Sequence, residues 1–487
     1  MLFNSLIFLI FLAITLSLYY ILPQKFRWYL LLASSCIFYM AWSVEFIFLI
    51  LFSSIFNYCI GIFIDKYEQK SKLILILGLI VNFFILFIFK YSVFINHSFM
   101  WLYNYLGIAY PIKDFDIILP MGISFYTFQA TSYTIDIYKK RYKPEKNPLK
   151  VALYIMFFPQ LVAGPIERAD RLLNQLFIKH NFDINNISIG IKIMIIGFFK
   201  KIVIADRVAI LVNTVYNSPQ TYNGLSFIIA TFFFAIQLYC DFSGYSDIAI
   251  GCAKLFGIDL MENFKSPYFS KSIKQFWTRW HISLSTWFKD YLYIPLGGNK
   301  KGTLRTYLNL MITFLVSGLW HGANWTFVLW GGLNGFYQII EDLKNKFLKT
   351  INFKIKNNHL DNFFNIFGIL ITFSLICFSL IFFRANTVGD AFYIVKNLFS
   401  DLSQIFNIQY LYNVVTNLGL NIFEILMVSG CIGLLFFIEL FEQKQRIYVT
   451  LNKAPFVFRF LFYYIIVIII LALGVFTDAG QFIYFQF

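Results

Sequence analysis

The chain has 487 residues, of which 59% are hydrophobic and only 13% charged, with a mean hydropathy of +0.68. That balance excludes an ordinary soluble domain and predicts an all-α, multi-pass membrane protein forming a single membrane-embedded domain over residues 1–487. The formal net charge of +15 is no nucleic-acid signal, because the basic residues fall in short loops between apolar runs, where membrane topology places them.

In chain order, the first 22 residues lack a basic leading region and a small-residue cleavage site, so they are expected to form an uncleaved first membrane helix. Runs of sufficient apolarity predict further helices near 28–42, 46–64, 73–89, 116–137, 190–212, 225–250, 304–317, 325–341, 361–383, 421–441 and 457–476. The apolar stretch 151–165 ends in Ala163-Gly164-Pro165 and is too short to cross, which suggests a re-entrant or interfacial segment. Four basic loops follow, at Lys66–Lys72, Lys139–Lys150, Lys344–Lys356 and Lys444–Lys453. Twelve crossings with both termini outside put all four on the cytoplasmic side, as the positive-inside bias requires.

Between the runs 225–250 and 304–317 lies a long segment with helical amphipathicity. At 100° per residue, Ile273, Phe276, Trp280, Leu284, Trp287, Phe288 and Tyr291 share the side of Trp277, while Lys271, Lys274, Arg279, Lys289 and Asp290 lie opposite. One helix is expected, lying flat at the membrane surface or lidding a cavity, with His281 at the edge of its apolar arc. Six of the nine tryptophans fall in 273–334: Trp277, Trp280, Trp287, Trp320, Trp325 and Trp330.

His321 is the sharpest functional candidate. It sits in a connection between LNLMITFLV (308–316) and WTFVLWGGL (325–333), and an ionisable group at membrane depth is costly without a partner or a cavity. Gly318 and Gly322 thin the backbone beside it for close approach by a substrate, and Trp320, Asn324, Trp325 and Trp280 are candidates to wall and orient a small acyl group there. A neutral imidazole in such a site removes a proton from a hydroxyl attacking a thioester, whereas the plain structural alternative is a histidine hydrogen-bonded between helices. For His281, periodicity leaves a functional role and a snorkelling one both open. Asp241 and Asp247, late in an apolar run, are expected to pair with a cation or line a polar cavity, with structural pairing the favoured use, and His97, His180 and His359 are expected to lie at the surface. Cys36, Cys59, Cys240, Cys252, Cys377 and Cys431 show neither CxxC pairing nor metal-like spacing, so no disulfide and no metal is expected. A Walker A loop, HExxH, GxSxG and an HxxxxD pattern at either histidine are absent.

The segments PMGISFYTFQATSYTIDIYKKR (120–141), FFPQLVAGPIERADRLLNQL (157–176), QLYCDFSGYSDIAIG (237–251), NFKSPYFSKSIKQFWTRWHISLSTWFKDYLYIPLGGN (263–299), SGLWHGANWTFVLWGGLNG (317–335) and FFRA (382–385) resemble the membrane-bound O-acyltransferase family. They are most similar to its alginate and peptidoglycan O-acetylation branch. The resemblance implies a fold of about 11–13 membrane helices with re-entrant or interfacial pieces around a central tunnel, with His321 as signature histidine and His281 as second histidine. It implies acetyl-CoA as cytoplasmic donor substrate with no permanently bound cofactor, an extracytoplasmic polysaccharide acceptor, and an SGNH-hydrolase-like partner, in the bacterial inner membrane. D-alanyl or other short-acyl transfer stays open, as do two different classes, an acyl transporter and a non-catalytic scaffold. The ending GQFIYFQF (480–487) is similar to the aromatic tail of the D-alanyl transferase, which makes Tyr484 an acyl-relay candidate beside its plainer use as an interfacial anchor.

Overall fold

A computed structural model describes residues 1–113, 117–162, 164–351 and 358–476, with side chains omitted at 358–361. Tyr484 and the ending 480–487 lie outside the described residues, as does the His359 side chain. The described residues form helices and connecting turns, with no strand among them. The chain divides into two compact units, Met1–Met194 with Ile248–Met261, and Ile195–Asp247 with Glu262–Phe487.

The first unit contains α1 (Leu6–Ile21), α2 (Gln24–Met40), α3 (Ile47–Lys66), α4 (Ser71–Leu86), α5 (Ser92–Tyr105), α6 (Ile123–Tyr138), α7 (Pro148–Met156), α8 (Phe158–Leu161) and α9 (Ala169–Leu176). A π-helical turn, Phe87–Tyr91, joins α4 to α5, so one helical stretch runs from Glu68 to Tyr105 where the apolar pattern alone predicts an end near 89. α6 begins later than its apolar run, because Pro120 and the left-handed Gly122 hold residues up to 122 out of the helix. It packs against α3 and α4, buries nearly its whole length, and seats Ile137 where a side chain at Gly61 would stand. The stretch 151–165 becomes α7 and α8, both buried, with Gln129 and Gln160 each donating to the Tyr154 carbonyl. Glu167, fully buried after this stretch, accepts from the Met261 amide, and burial raises its carboxyl pKa to about 7.

The second unit takes in the end of α10 (Ile184–Phe198), α11 (Asp206–Tyr216) and most of α12 (Leu225–Leu255). It continues with α13 (Ile273–Arg279), α14 (Ile282–Phe288), α15 (Thr303–His321), α16 (Trp325–Thr350), α17 (Asn358–Arg384), α18 (Val388–Asn397), α19 (Ile408–Thr416), α20 (Ile422–Glu442), α21 (Ile447–Leu451) and α22 (Phe456–Leu473). The most intimate helix pair is α15 with α16. A side chain at Gly318 would meet the Phe327 carbonyl at 2.2 Å, and one at Gly331 would meet the Phe314 carbonyl at 2.3 Å. Small residues at this crossing let the backbones touch, as in small-xxx-small membrane packing.

Among the described residues six helical stretches are long and apolar enough to cross a membrane: Ile47–Lys66, Glu68–Tyr105, Leu225–Leu255, Asn362–Arg384, Ile422–Glu442 and Phe456–Leu473. The remaining expected crossings are shorter or carry more polar residues. The lipid-type surface agrees with this, since α20 and α22 expose Phe423, Leu426, Phe437, Phe456 and Phe458. All six cysteines are free thiols.

Candidate active site

The amphipathic segment is two helices, not the single helix its periodicity predicts. α13 starts at the Ser272 cap, where Glu341 of α16 also accepts from the Ile273 amide at 2.6 Å. It ends at Arg279, Trp280 is extended, and His281 takes a left-handed conformation with φ 42° before α14 begins. A non-glycine residue held in that region stores strain that the surroundings must impose, and such residues cluster at functional sites. The break turns His281 inward. Its side chain is buried at 1% exposure, far from the snorkelling position at the rim of an arc.

His321 is the last residue of α15, not part of the connecting loop, and is 2% exposed. The two imidazoles therefore come from elements 40 positions apart and meet with ring centroids 6.4 Å apart. Aromatic rings enclose both. Trp330 lies 5.0 Å from His321, Trp320 5.1 Å and Phe383 5.6 Å, while Phe242 stands edge-on to His281 at 4.6 Å. Such a shell withdraws both rings from water, and loss of solvation disfavours a charged group. Burial accordingly pushes the His281 pKa down to about 3.

Beside His321 is a cavity of about 10 Å3 bordered by Trp277, Trp280, Trp330, Asn334, Tyr268 and Phe383. That is roughly the room one water needs. The resemblance implies a central tunnel narrowed at this histidine, and the space beside His321 is water-sized. Of the wall candidates, Trp280 borders this cavity and Trp320 contacts both histidines. Asn324 and Trp325 are not brought there. Asn324 caps α16, accepting from the Thr326 amide and donating to the Asn386 carbonyl, and Trp325 is 54% exposed. Gly318 and Gly322 do not open a path for substrate either, because the Phe327 backbone and ring occupy the space beside them. Their smallness serves helix packing.

Three residues that sequence reasoning missed complete the geometry. Phe383 comes from FFRA, a motif visible in the sequence without an assigned place. Phe242 is one of 62 phenylalanines and carried no distinguishing signal. Asn263 lies in irregular chain before α13, and its side-chain oxygen accepts from the Ser283 amide at 3.2 Å and the Ser283 hydroxyl at 2.9 Å, with His281 Nδ1 at 3.2 Å.

Charged groups lie close by in the same unit. Residues Phe199–Ala205 form a π-helical turn that buries Lys200 and Lys201 side by side, and such turns recur at functional sites. Lys201 pairs with Asp206 at 2.7 Å and Asp241 at 2.5 Å, and Lys200 with Asp247 at 2.8 Å. Arg446 bridges Asp247 at 3.1 Å and Glu262 at 2.8 Å. Asp241 and Asp247 thus sit in ion pairs, the structural use their sequence context suggests. A polar cavity of about 160 Å3 is bordered by Lys200, Asp247, Glu262, Arg446, Tyr239 and Phe264. Tyr239, which donates to Glu439, and Phe264 also pack against Trp280, so these rings form the partition on the histidine side. Among the described residues no cluster of three or more histidine, cysteine or carboxylate side chains is arranged to hold a metal. His97 is exposed, and His180 is half-buried with Nε2 2.7 Å from the Gln175 carbonyl.

The arrangement offers two buried imidazoles within an aromatic shell, that of His281 held uncharged by burial, a setting for proton transfer and acyl chemistry shielded from water. Comparison with known proteins points the same way. The family model for the membrane-bound O-acyltransferase family matches residues 144–381, which takes in both histidines and most of their shell. The chain is 43% identical over 345 residues to a probable alginate O-acetylase AlgI of Pseudomonas putida, covering 70% of each chain. It is 36% identical over 398 residues to the peptidoglycan O-acetyltransferase of Helicobacter pylori, covering 76% of this chain and 73% of that one. It is 30% identical over 281 residues to the teichoic acid D-alanyltransferase of Bacillus subtilis, covering 55% and 69%. An all-helical membrane protein whose similarity runs through the two buried histidines, this chain belongs to the membrane-bound O-acyltransferase family and is an O-acyltransferase.

Proposed function

We propose that the protein moves acetyl groups from cytoplasmic acetyl-CoA across a bacterial inner membrane for O-acetylation of an extracytoplasmic polysaccharide, either an alginate-like polymer or peptidoglycan. The acceptor class rests on relatives that carry alginate O-acetylase and peptidoglycan O-acetyltransferase names. The observation that carries the chemistry is the pair of buried imidazoles 6.4 Å apart inside an aromatic shell. Exclusion of water protects a thioester from hydrolysis and strengthens every polar interaction within.

In this reading His321 accepts the proton of an attacking hydroxyl as the new C–O bond forms at the acetyl carbonyl. The C–S bond breaks, and the imidazolium returns the proton to the departing CoA thiolate, so the reaction yields an acetyl ester and free thiol. His281 positions the reacting groups, and Trp320 and Trp280 bound the acetyl group. Twelve crossings leave the basic loops inside and both termini outside, which brings Tyr484 to the outer face. Tyr484 is the proposed carrier, passing its acetyl ester to an SGNH-hydrolase-like partner. A phenol of pKa about 10 is a weak nucleophile until a base assists it.

Purified protein incubated with isotopically labelled acetyl-CoA tests the scheme. The expected results are release of CoA thiol and label on the C-terminal peptide, read by mass spectrometry. Turnover with an unmodified Tyr484 removes the relay, and no thiol release at all removes the acetyltransferase reading in favour of a scaffold. D-alanyl transfer is the second reading, favoured by similarity to the teichoic acid enzyme; thiol release from acetyl-CoA at a steady rate argues against it.

A further inference from the structure

We infer that Asn263 is a positioning residue that locks His281 in the tautomer with its proton on Nδ1, so that Nε2 carries the lone pair. The orientation of the Asn263 amide is fixed by chemistry. A backbone N–H can only donate, and the Ser283 amide points at one Asn263 side-chain atom from 3.2 Å, so that atom is the oxygen. The same oxygen lies 2.9 Å from the Ser283 hydroxyl and 3.2 Å from His281 Nδ1. An oxygen with no proton to give makes Nδ1 the donor. Reversing the amide would set its NH2 against the Ser283 N–H. As oriented, Asn263 Nδ2 has no hydrogen-bond partner among the described residues, so the side chain serves as an acceptor and not as a two-way link.

The backbone reinforces this clamp. The Ile282 amide donates to the Asn263 carbonyl at 2.9 Å, so main chain and side chain of Asn263 both hold the turn at the left-handed His281. Desolvation keeps the ring uncharged, and an uncharged imidazole has one N–H and one lone pair. With the N–H committed to Asn263, Nε2 acts as an acceptor. That suits a ring that receives a hydrogen bond from the reacting hydroxyl or from His321, and it excludes His281 as the group that donates a proton from Nε2. The inference rests on the acyl-transfer reading only for its kinetic consequence. The tautomer itself is a statement about ground-state chemistry.

The test combines nitrogen NMR of 15N-histidine-labelled full-length protein in lipid with turnover of two variants, the His281 signals being identified by their loss in His281→Gln. The wild type is expected to show a protonated-type shift at Nδ1 and a lone-pair-type shift at Nε2 of His281. Asn263→Ala is expected to lose that single-tautomer signature and to lower kcat on acetyl-CoA by about 10–100-fold with KM unchanged, the usual cost of removing a partner that orients a functional histidine. Asn263→Asp, which keeps an acceptor oxygen for Nδ1, is expected to recover most of the loss. A wild-type ring protonated on Nε2 overturns the inference, and so does Asn263→Ala with wild-type kcat per folded molecule. Should Asn263→Ala fail to accumulate, the wild-type shifts and the turnover of Asn263→Asp decide. Wild-type protein without acetyl transfer sinks the acyl-transfer reading while leaving the nitrogen shifts to judge the tautomer.

Discussion

His281 and His321 on one side, and Lys200 and Lys201 on the other, are equally withdrawn from water within the same unit, yet their surroundings differ in kind. The histidines have rings around them, and the lysines have carboxylates, Asp247 for Lys200 and both Asp206 and Asp241 for Lys201. The reason lies in what neutrality costs at pH 7. An imidazole with a reference pKa near 6.5 is already mostly neutral, whereas holding a lysine uncharged costs about 5 kcal/mol, from ~1.4 kcal/mol for each pH unit below 10.4. A buried histidine can therefore sit in apolar surroundings and keep a lone pair for chemistry. Lys200 and Lys201 keep their charge because each is buried with counter-ions, which makes them structural anchors.

The comparison can be broken first at its catalytic end. Replacing His321→Asn keeps a polar side chain of similar bulk and removes the proposed base. Turnover on labelled acetyl-CoA is expected to fall by about 10²–10⁴-fold, the range for a lost general base, while yield and thermal midpoint stay near wild type. A variant with unchanged turnover would take the role of base away from His321.

The structural end should respond the other way. Lys201→Met removes the cation that Asp206 and Asp241 share, and the expected loss is ~3–5 kcal/mol of stability, as for breaking a buried pair. Denaturant unfolding in detergent reads this. A loss no larger than that of an exposed ion pair would show that the pairing is not what keeps these charges in place.

A subtler distinction is pH. With its folded pKa lowered to about 3 from a reference of 6.5, His281 binds fewer protons folded than unfolded between those values. Its contribution is therefore fully present above about 6.5 and is lost progressively as pH falls toward 3. By linkage the loss reaches ~2 kcal/mol at pH 5. Unfolding measured for wild type and His281→Gln should show the variant with the flatter pH dependence; equal slopes would mean that the imidazole binds its proton in the folded protein as it does in the unfolded chain.

The smallest expected effect separates the cavity from its approaches. Asn324→Ala loses an N-cap and about 1 kcal/mol of stability, with kcat unchanged because the side chain is turned toward the Thr326 amide and Asn386. A large kcat loss would return Asn324 to the wall of the reaction site.

Much of this was legible in one dimension. Long apolar runs announce membrane helices because a span must satisfy its backbone internally and bury apolar side chains in lipid, and the bounds of α3, α12, α20 and α22 follow closely from composition. His321 stands out for the same reason, as an ionisable group between two such runs. The helix at Ser92–Tyr105 was hidden because Asn96, His97 and Ser98 interrupt its hydropathy, though backbone hydrogen bonding does not depend on that pattern.

Tertiary structure decided what local pattern cannot encode. The 3.6-residue phase runs through Trp280 and His281 as if one helix continued, so the left-handed break, imposed by Asn263 eighteen residues earlier, leaves no mark on periodicity. The glycines beside His321 look like access for a ligand and prove to be access for another helix, since only the partner backbone reveals what fills the gap. Sequence by itself determined where the long apolar helices lie and which titratable groups border them, because those follow from transfer free energies of contiguous residues. Which ring faces which, which nitrogen holds the proton and how little space remains beside His321 depend on atoms brought together from distant positions, and only the folded chain sets those distances.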